Sequence, residues 1–202
     1  MLRPKRFKIA RRLGPLVYDQ AQTERFALSE ARKKRGPVKD KHRKNISAYN
    51  LALRDKQRLR LYYGLPERQF KRYVKETSAK EGSPVLNLYS RLESRLDNVV
   101  YRVGLAPTHR AARQMVSHGH ITVNGKKIRV ASHTVSVGDV IGVREGSAGS
   151  VLFTAEKKEK VAAPHWVAEN EKSHTWEVTG QPKMDDVPSA FNITSVVEFY
   201  SR

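Results

Sequence analysis

The sequence predicts an α+β protein: a helical N-terminal domain, then two helices packed on a small twisted antiparallel sheet. Three observations carry this. Apolar residues recur at three- and four-residue steps from about Ser47 to Thr77 and again from Leu92 to Val116. Beyond these, short β-branched runs, Ile121-Thr122-Val123 and Val140-Ile141-Gly142-Val143, replace the helical spacing. Between the runs stands Asn124-Gly125, the favoured two-residue hairpin turn, because both positions tolerate positive φ.

Composition narrows the function classes. The 202 residues include 39 Lys+Arg against 20 Asp+Glu, a net charge of +19, with 39% hydrophobic residues. A polyanionic partner would relieve such self-repulsion. The absence of cysteine excludes disulfides, thiolate metal sites and cysteine nucleophiles. No apolar run approaches membrane-spanning length and no signal-peptide core is present, so a soluble intracellular chain is expected. The charge is uneven: +17 over residues 1–80, +4 over 81–150 and −2 over 151–202. This division predicts a basic contact surface followed by modules that orient it.

Along the chain, residues 1–44 read as a basic arm and loop. Lys5, Arg6, Lys8, Arg11 and Arg12 alternate with Phe7, Ile9 and Leu13, and no acid precedes Asp19. No serine precedes Asp19 either, unlike an organellar transit peptide, so the reading of this stretch is an extended arm that orders on RNA. Gly36-Pro37 interrupts the next cationic block, making Lys39, Lys41, Arg43 and Lys44 a phosphate-contacting loop rather than helix. Residues 45–85 form the helical domain. Its first helix presents Arg54, Lys56, Arg58 and Arg60 and stops at Gly64; Pro66 opens a second, with Phe70, Tyr73, Val74 and Thr77 on its buried face.

Residues 90–150 form the most specific module. Ser90-Arg91-Leu92-Glu93 reads as a capping box opening one continuous helix that ends at Gly104, with Leu92, Leu96, Val99, Val100 and Val103 as its stripe. Arg91, Arg95 and Arg102 form a row beside that stripe. Thr108 caps a second helix, with His109, Arg110, Arg113, Gln114 and Ser117 outward, followed by a turn at His118-Gly119-His120. Lys126, Lys127 and Ile128 return from the hairpin, and Val135 and Val137 with 140–143 make a further strand pair. Arginine suits phosphate because its planar fork donates two hydrogen bonds and keeps its charge. Such a surface recognises a folded RNA by backbone shape. Residues 146–150 read as a flexible link, and 151–202 as a segment packing back on the helical domain. Trp166, Trp176 and Phe191 fill apolar contacts there, and alternation at 197–200 predicts a strand.

Residues 92–103 and 109–124, ending in Val137-Gly138-Asp139-Val140-Ile141, resemble the small RNA-binding module of the small-subunit ribosomal protein four family. Residues 49–70, with Arg54-Asp55-Lys56-Gln57-Arg58-Leu59 and Tyr63-Gly64-Leu65-Pro66-Glu67-Arg68-Gln69-Phe70, are similar to that family's first helical domain. Val197-Glu198-Phe199-Tyr200-Ser201-Arg202 resembles its terminus. The resemblance implies a structural constituent of the small subunit that binds rRNA early in assembly. Neighbours three and five and the mRNA entry region, through Lys39–Lys44, are implied with it, as are a part in translational accuracy and a ribosome-bound cytoplasmic location. Many members carry an N-terminal zinc-binding cysteine cluster; its absence implies a zinc-free form.

Catalytic and metal chemistry find little support. Gly119 to Lys126 has the wrong spacing for a phosphate loop, and Lys127 stands where a magnesium-ligating hydroxyl belongs. His118 and His120 lack further ligands, and Asp185-Asp186 and Glu169/Glu171 read as solvated acids. No cofactor is expected. A pseudouridine-synthase-like RNA-modifying enzyme carrying the same module would need a catalytic domain that the remaining residues do not outline. A DNA-compacting protein is a third reading.

Overall fold

Local capping chemistry sets most boundaries in the computed structural model, which describes residues 6–34, 47–150, 153, 163–170, 174–183 and 191–201. In chain order the described elements are α1 (Arg6–Leu13), α2 (Glu24–Lys34), α3 (Ala48–Tyr62), α4 (Glu67–Ser78), α5 (Pro84–Glu93), α6 (Leu96–Arg102) and α7 (His109–His118). After them come β1 (Ile121–Val123), β2 (Lys126–Lys127), β3 (Val140–Val143), α8 (Glu145–Ala148), β4 (Val167–Asn170), β5 (Thr175–Val178) and α9 (Ile193–Ser201). The predicted α+β class is borne out. The chain divides into two units, Met1–Lys75 with Ser189–Arg202, and Glu76–Pro188.

In the first unit the described part of the basic front, residues 6–34, is folded rather than an extended arm. Ala10 and Leu13 of α1 are buried together with Val17, Ala21 and Phe26, and the Phe7 and Phe26 rings stack at 5.6 Å. A helical apolar step, Phe7–Ala10–Leu13, runs among the cations; Ala10 and Leu13 are buried and Phe7, still exposed, stacks at their edge. Ser47 caps α3 by accepting from the Asn50 amide at 3.3 Å. On α4, Phe70, Tyr73, Val74 and Thr77 are buried as expected.

The expected strand at 197–200 is helix. Asn192 accepts from the Ser195 amide at 3.0 Å, and Ile193 and Val196 bury one face, so capping and three-residue spacing override a four-residue alternation. This helix packs on α3 through Tyr49–Phe199 at 5.6 Å, while Phe191 meets Tyr62 at 4.9 Å.

In the second unit the helix expected from Ser90 to Gly104 is two helices. Ser90 lies inside α5, so it heads no capping box, and the chain breaks at Ser94-Arg95. Arg95 is extended (φ −72°, ψ 136°) and bridges to Thr134. Leu96 and Asp97 amides donate to the carbonyls of His133 and Ala131, and the Val135 amide to Ser94. The 131–135 segment thus satisfies the orphan donors that any new helix start exposes. It is not the strand expected at Val135 and Val137. Thr108 caps α7 by accepting from Ala111 N at 3.0 Å, and Gly119 (φ 75°) ends it in the left-handed conformation.

The sheet has the order β2-β1-β3-β5-β4, antiparallel throughout. Asn124 (φ 51°) and Gly125 (φ 75°) make the predicted hairpin turn. The partner of β3 comes from the C-terminal segment: Ile141 stands opposite Trp176, and Val167 opposite Val178. Residues expected to pack together on the helical domain are therefore divided, with β4 and β5 completing this sheet. The link expected at 146–150 begins within α8, where Ser147 is buried. Ile121, Ile141, Trp166 and Trp176 face a core shared with Leu96, Val99, Val100, Ala112 and Val116. Trp176→Ala is expected to cost about 3–5 kcal/mol, as for large-to-small changes in a packed core, measured by denaturant unfolding.

Candidate nucleic-acid interface

The sequence-predicted cations of the second unit fall into two groups. One is organised by two buried carboxylates, Glu93 (1% exposed) and Asp97 (3%), set on either side of the helix break. Asp97 accepts from Arg95 at 2.9 and 2.7 Å and from Arg113 at 2.9 and 2.8 Å. Glu93 accepts from Arg102 at 3.0 and 2.8 Å and from Asn98 Nδ2 at 3.0 Å. His109 Nε2 donates to Asn98 Oδ1 at 3.2 Å and its ring stacks on Tyr101 at 3.8 Å. Arg91 donates to Thr134 Oγ1.

This corrects the exposed arginine row. Arg95 is 2% exposed, because its extended backbone turns the side chain into Asp97, so it is a structural residue rather than a surface contact. Arg91, Arg102 and Arg113 remain half-buried, their guanidiniums aimed by the groups they donate to. His109 is not outward either. Burial, with the charges of Arg102 and Arg113 outweighing the opposite pull of Asp97, pushes its imidazole down to about 3.

The second group is open to solvent. Arg110, Gln114, Ser117 and His118 lie exposed along α7. The His118 ring is 5.9 Å from that of His120, whose Nδ1 lies 3.0 Å from Ser147 Oγ. Continuing the register one step past the strand ends, Arg144 N donates to His120 O. Thr122 stands opposite both Lys127 and Gly142. Strand alternation then places Lys127, Arg129 and Arg144 on the sheet face opposite the core.

Lys127, Arg129 and Arg144 were not nominated from sequence. The two-residue step from Lys127 to Arg129 marks one face, but Arg144 joins them only through pairing across β1. The Arg129 charge, partial loss of hydration and the Arg144 charge hold the Lys127 ammonium below its usual range.

In the first unit the α3 cations are largely committed within the fold. Lys56 Nζ bonds Glu67 at 2.7 Å and sits 4.9 Å from the Phe199 ring centre. Arg60 pairs with Glu67 at 3.2 Å, and Arg58 with Asp55 at 3.2 Å and the Leu13 carbonyl. Burial raises the Glu67 carboxyl, but bonds from Lys56 and Tyr200 and the Lys56 and Arg60 charges leave it lowered overall. Tyr200, donating at 2.7 Å, is raised by burial and by Glu67. Arg54 is half-buried. On α1, Lys8 is exposed, Arg11 donates to Ser29 at 2.8 Å and Arg12 to Gln57 at 3.0 Å. The Arg6 backbone begins α1. Lys5, Lys39, Lys41, Arg43 and Lys44 lie outside the described residues. Among the described residues no cluster of three His, Asp or Glu could hold a metal, and no helix is long and apolar enough to cross a membrane.

A helix edge and a sheet face that carry exposed cations, backed by a buried ionic network, make a surface suited to a nucleic-acid phosphate backbone. Residues 1–93 match the model of the Ribosomal protein S4/S9 N-terminal domain and residues 94–141 that of the S4 domain. Similar relatives named "Small ribosomal subunit protein uS4" include those of Acetivibrio thermocellus, 38% identical over 203 residues covering 96% of each chain, and Brevibacillus brevis, 42% identical over 161 residues covering 80% of this chain and 81% of the relative. That of Listeria monocytogenes is 41% identical over 197 residues, 97% of this chain and 96% of its own. The chain belongs to the S4 family of ribosomal proteins.

Two outcomes are expected. Asp97→Ala leaves Arg95 buried without its carboxylate and costs about 3–5 kcal/mol in urea unfolding, against at most about 0.5 kcal/mol for exposed Arg110→Ala. His109 is neutral in the fold down to about 3, whereas an unfolded histidine protonates below about 6.5. The unfolded state therefore binds the extra proton between those values. The contribution of His109 to stability is full above about pH 6.5 and declines as pH falls toward 3. Thermal melts of His109→Gln across that window should be flatter than those of the native chain.

Proposed function

We propose that this chain is a non-enzymatic structural constituent of the small ribosomal subunit that binds its rRNA directly and early in assembly. The observation that carries the reading is the exposed α7 edge, Arg110, Gln114, Ser117 and His118, continued by His120 and flanked by half-buried Arg91, Arg102 and Arg113. Fixed cations spaced along a helix match phosphates without reading bases, which suits a folded RNA junction. In the first unit, Arg54 and the α1 cations Lys8, Arg11 and Arg12 supply contacts of their own, with Lys5 and Arg6 assigned to them from sequence. Lys56, Arg58 and Arg60 contribute mainly by holding the helices together.

The relatives' printed name and the match of both family models support ribosome association, and the RNA-modifying-enzyme reading has no support from them. Small-subunit ribosomal proteins three and five as neighbours, mRNA near Lys39, Lys41, Arg43 and Lys44, a role in translational accuracy, and a cytoplasmic ribosome-bound location complete the proposal.

Titrating small-subunit rRNA with the purified chain at several salt concentrations tests it. Tight binding with a steep salt dependence is expected, and Arg110→Ala should reduce the slope of log affinity on log salt by about one unit. Equal affinity for duplex DNA at about 150 mM salt, or turnover in a uridine-isomerisation assay, would overturn the reading.

A further inference from the structure

Two cations, Lys127 and Arg129, pack over Gly119, and a third, Arg144, shares their sheet face across β1. A side chain built on Gly119 would place its Cβ 2.3 Å from Lys127 Cε, 3.3 Å from Lys127 Nζ and 3.4 Å from Arg129 Cγ. The Lys127 stem therefore lies directly over the left-handed turn that ends α7. Arg144 stands on the other side of β1, where a Cβ on Gly146 would sit 3.2 Å from one of its terminal nitrogens, and its charge, with that of Arg129, acts on the Lys127 ammonium. In the extended register Arg129 and Arg144 flank His120, one on each side. Among the described residues none of the three is placed in an ion pair. On the same sheet face, Glu177 stands opposite Val140, at the other end of β3 from Arg144.

Like charges gathered without a counter-charge raise the free energy of the unbound protein, and a bound anion reverses the sign of that term. The other cations contrast sharply: Arg95, Arg102 and Arg113 sit on Asp97 or Glu93, and Lys56 and Arg60 on Glu67. The protein has neutralised those and left these three open. One ammonium on a flexible stem and two guanidinium forks, beside a glycine that admits close approach, suit the tetrahedral oxygens of a phosphodiester.

We propose that Lys127, Arg129 and Arg144 form a phosphate-clamping subsite at the C-terminal end of α7, holding adjacent phosphates of one RNA strand separately from the α7 edge. It rests on the rRNA-binding reading above and adds a second point of attachment. Two separated grips on one backbone fix the orientation of a helix-sheet module, which a single row along α7 leaves free to rotate.

The test uses the full chain, a small-subunit rRNA transcript and four proteins: native, Arg110→Ala, the combined Lys127→Gln/Arg129→Gln/Arg144→Gln variant, and Gly119→Asn. The combined variant should lower the salt slope by about one to two units and weaken binding at least tenfold at about 150 mM salt. It should also lose hydroxyl-radical protection over a backbone stretch different from that lost in Arg110→Ala. Asparagine tolerates the left-handed conformation at a helix end, so Gly119→Asn keeps the cap while its Cβ displaces the Lys127 stem. Its far-ultraviolet circular dichroism should match the native chain while its affinity falls. If the native chain binds and Arg110→Ala shifts the slope but the combined variant does not, the subsite is overturned and the rRNA-binding reading stands. If the native chain ignores the transcript, the rRNA reading fails and the subsite with it. Loss of protection at the same nucleotides in both variants also overturns a separate subsite.

Discussion

Two carboxylates, Glu93 and Asp97, buried around the break between α5 and α6, are what the arrangement of the second unit depends on. Removing a carboxylate from water costs several kcal/mol unless charged donors replace the lost solvent. Each here receives paired guanidinium bonds, and Asp97 takes two arginines at once. The network joins α5, α6 and α7 by directional bonds, where the apolar stripe alone would let the helices slide. It also fixes the half-buried arginines before any partner arrives, which lowers the ordering entropy lost on binding.

The same unit keeps two kinds of cation apart. Arginines on carboxylates are structural at their base and available only at their edge. The α7 edge and the outer sheet face carry cations without such partners. The division follows from the sheet's two faces: β1, β3 and β5 turn Ile121, Ile141 and Trp176 to the core, so alternation sends the intervening residues outward. Self-repulsion on that face is tolerable because the other face is anchored by two buried tryptophans.

The C-terminal segment explains how so small a sheet persists. A three-stranded β2-β1-β3 piece would leave the β3 edge unpaired and its core face thin. β5 covers that edge, with β4 beyond it, and Trp166, just before β4, and Trp176 of β5 enter the core, while α9 serves the helices of the first unit. A single stretch of weakly patterned sequence thus completes both units.

Much of this was legible from residues alone. Thr108 as a cap, Gly64 as a stop, the turn at Gly119 and Asn124-Gly125 as a hairpin follow from local backbone chemistry, which neighbours in sequence fully specify. The buried face of α4 and the exposure of Arg110, Gln114 and Ser117 on α7 follow from helical period, whereas His109 and Arg113 of that same predicted face are drawn inward. Other features were not legible. Nothing local marks Ser94-Arg95 as a break, because the groups that satisfy the new helix start, the carbonyls of Ala131 and His133, lie some 35 residues away. The helical step in α1 is masked by its cations, and the residues that bury it, such as Phe26, come later in the chain.

By itself, then, the sequence determined the class of fold, the caps and turns, and the concentration of positive charge that calls for a polyanion, since each depends on residue type and short-range spacing. Only the tertiary structure decided which cations face solvent. Arg95 and Arg110 are the same residue on neighbouring helical segments, yet one is sealed against Asp97 and the other open. That outcome depends on where a distant backbone supplies hydrogen bonds and where a buried carboxylate waits, and neither is written in the spacing of the arginines themselves.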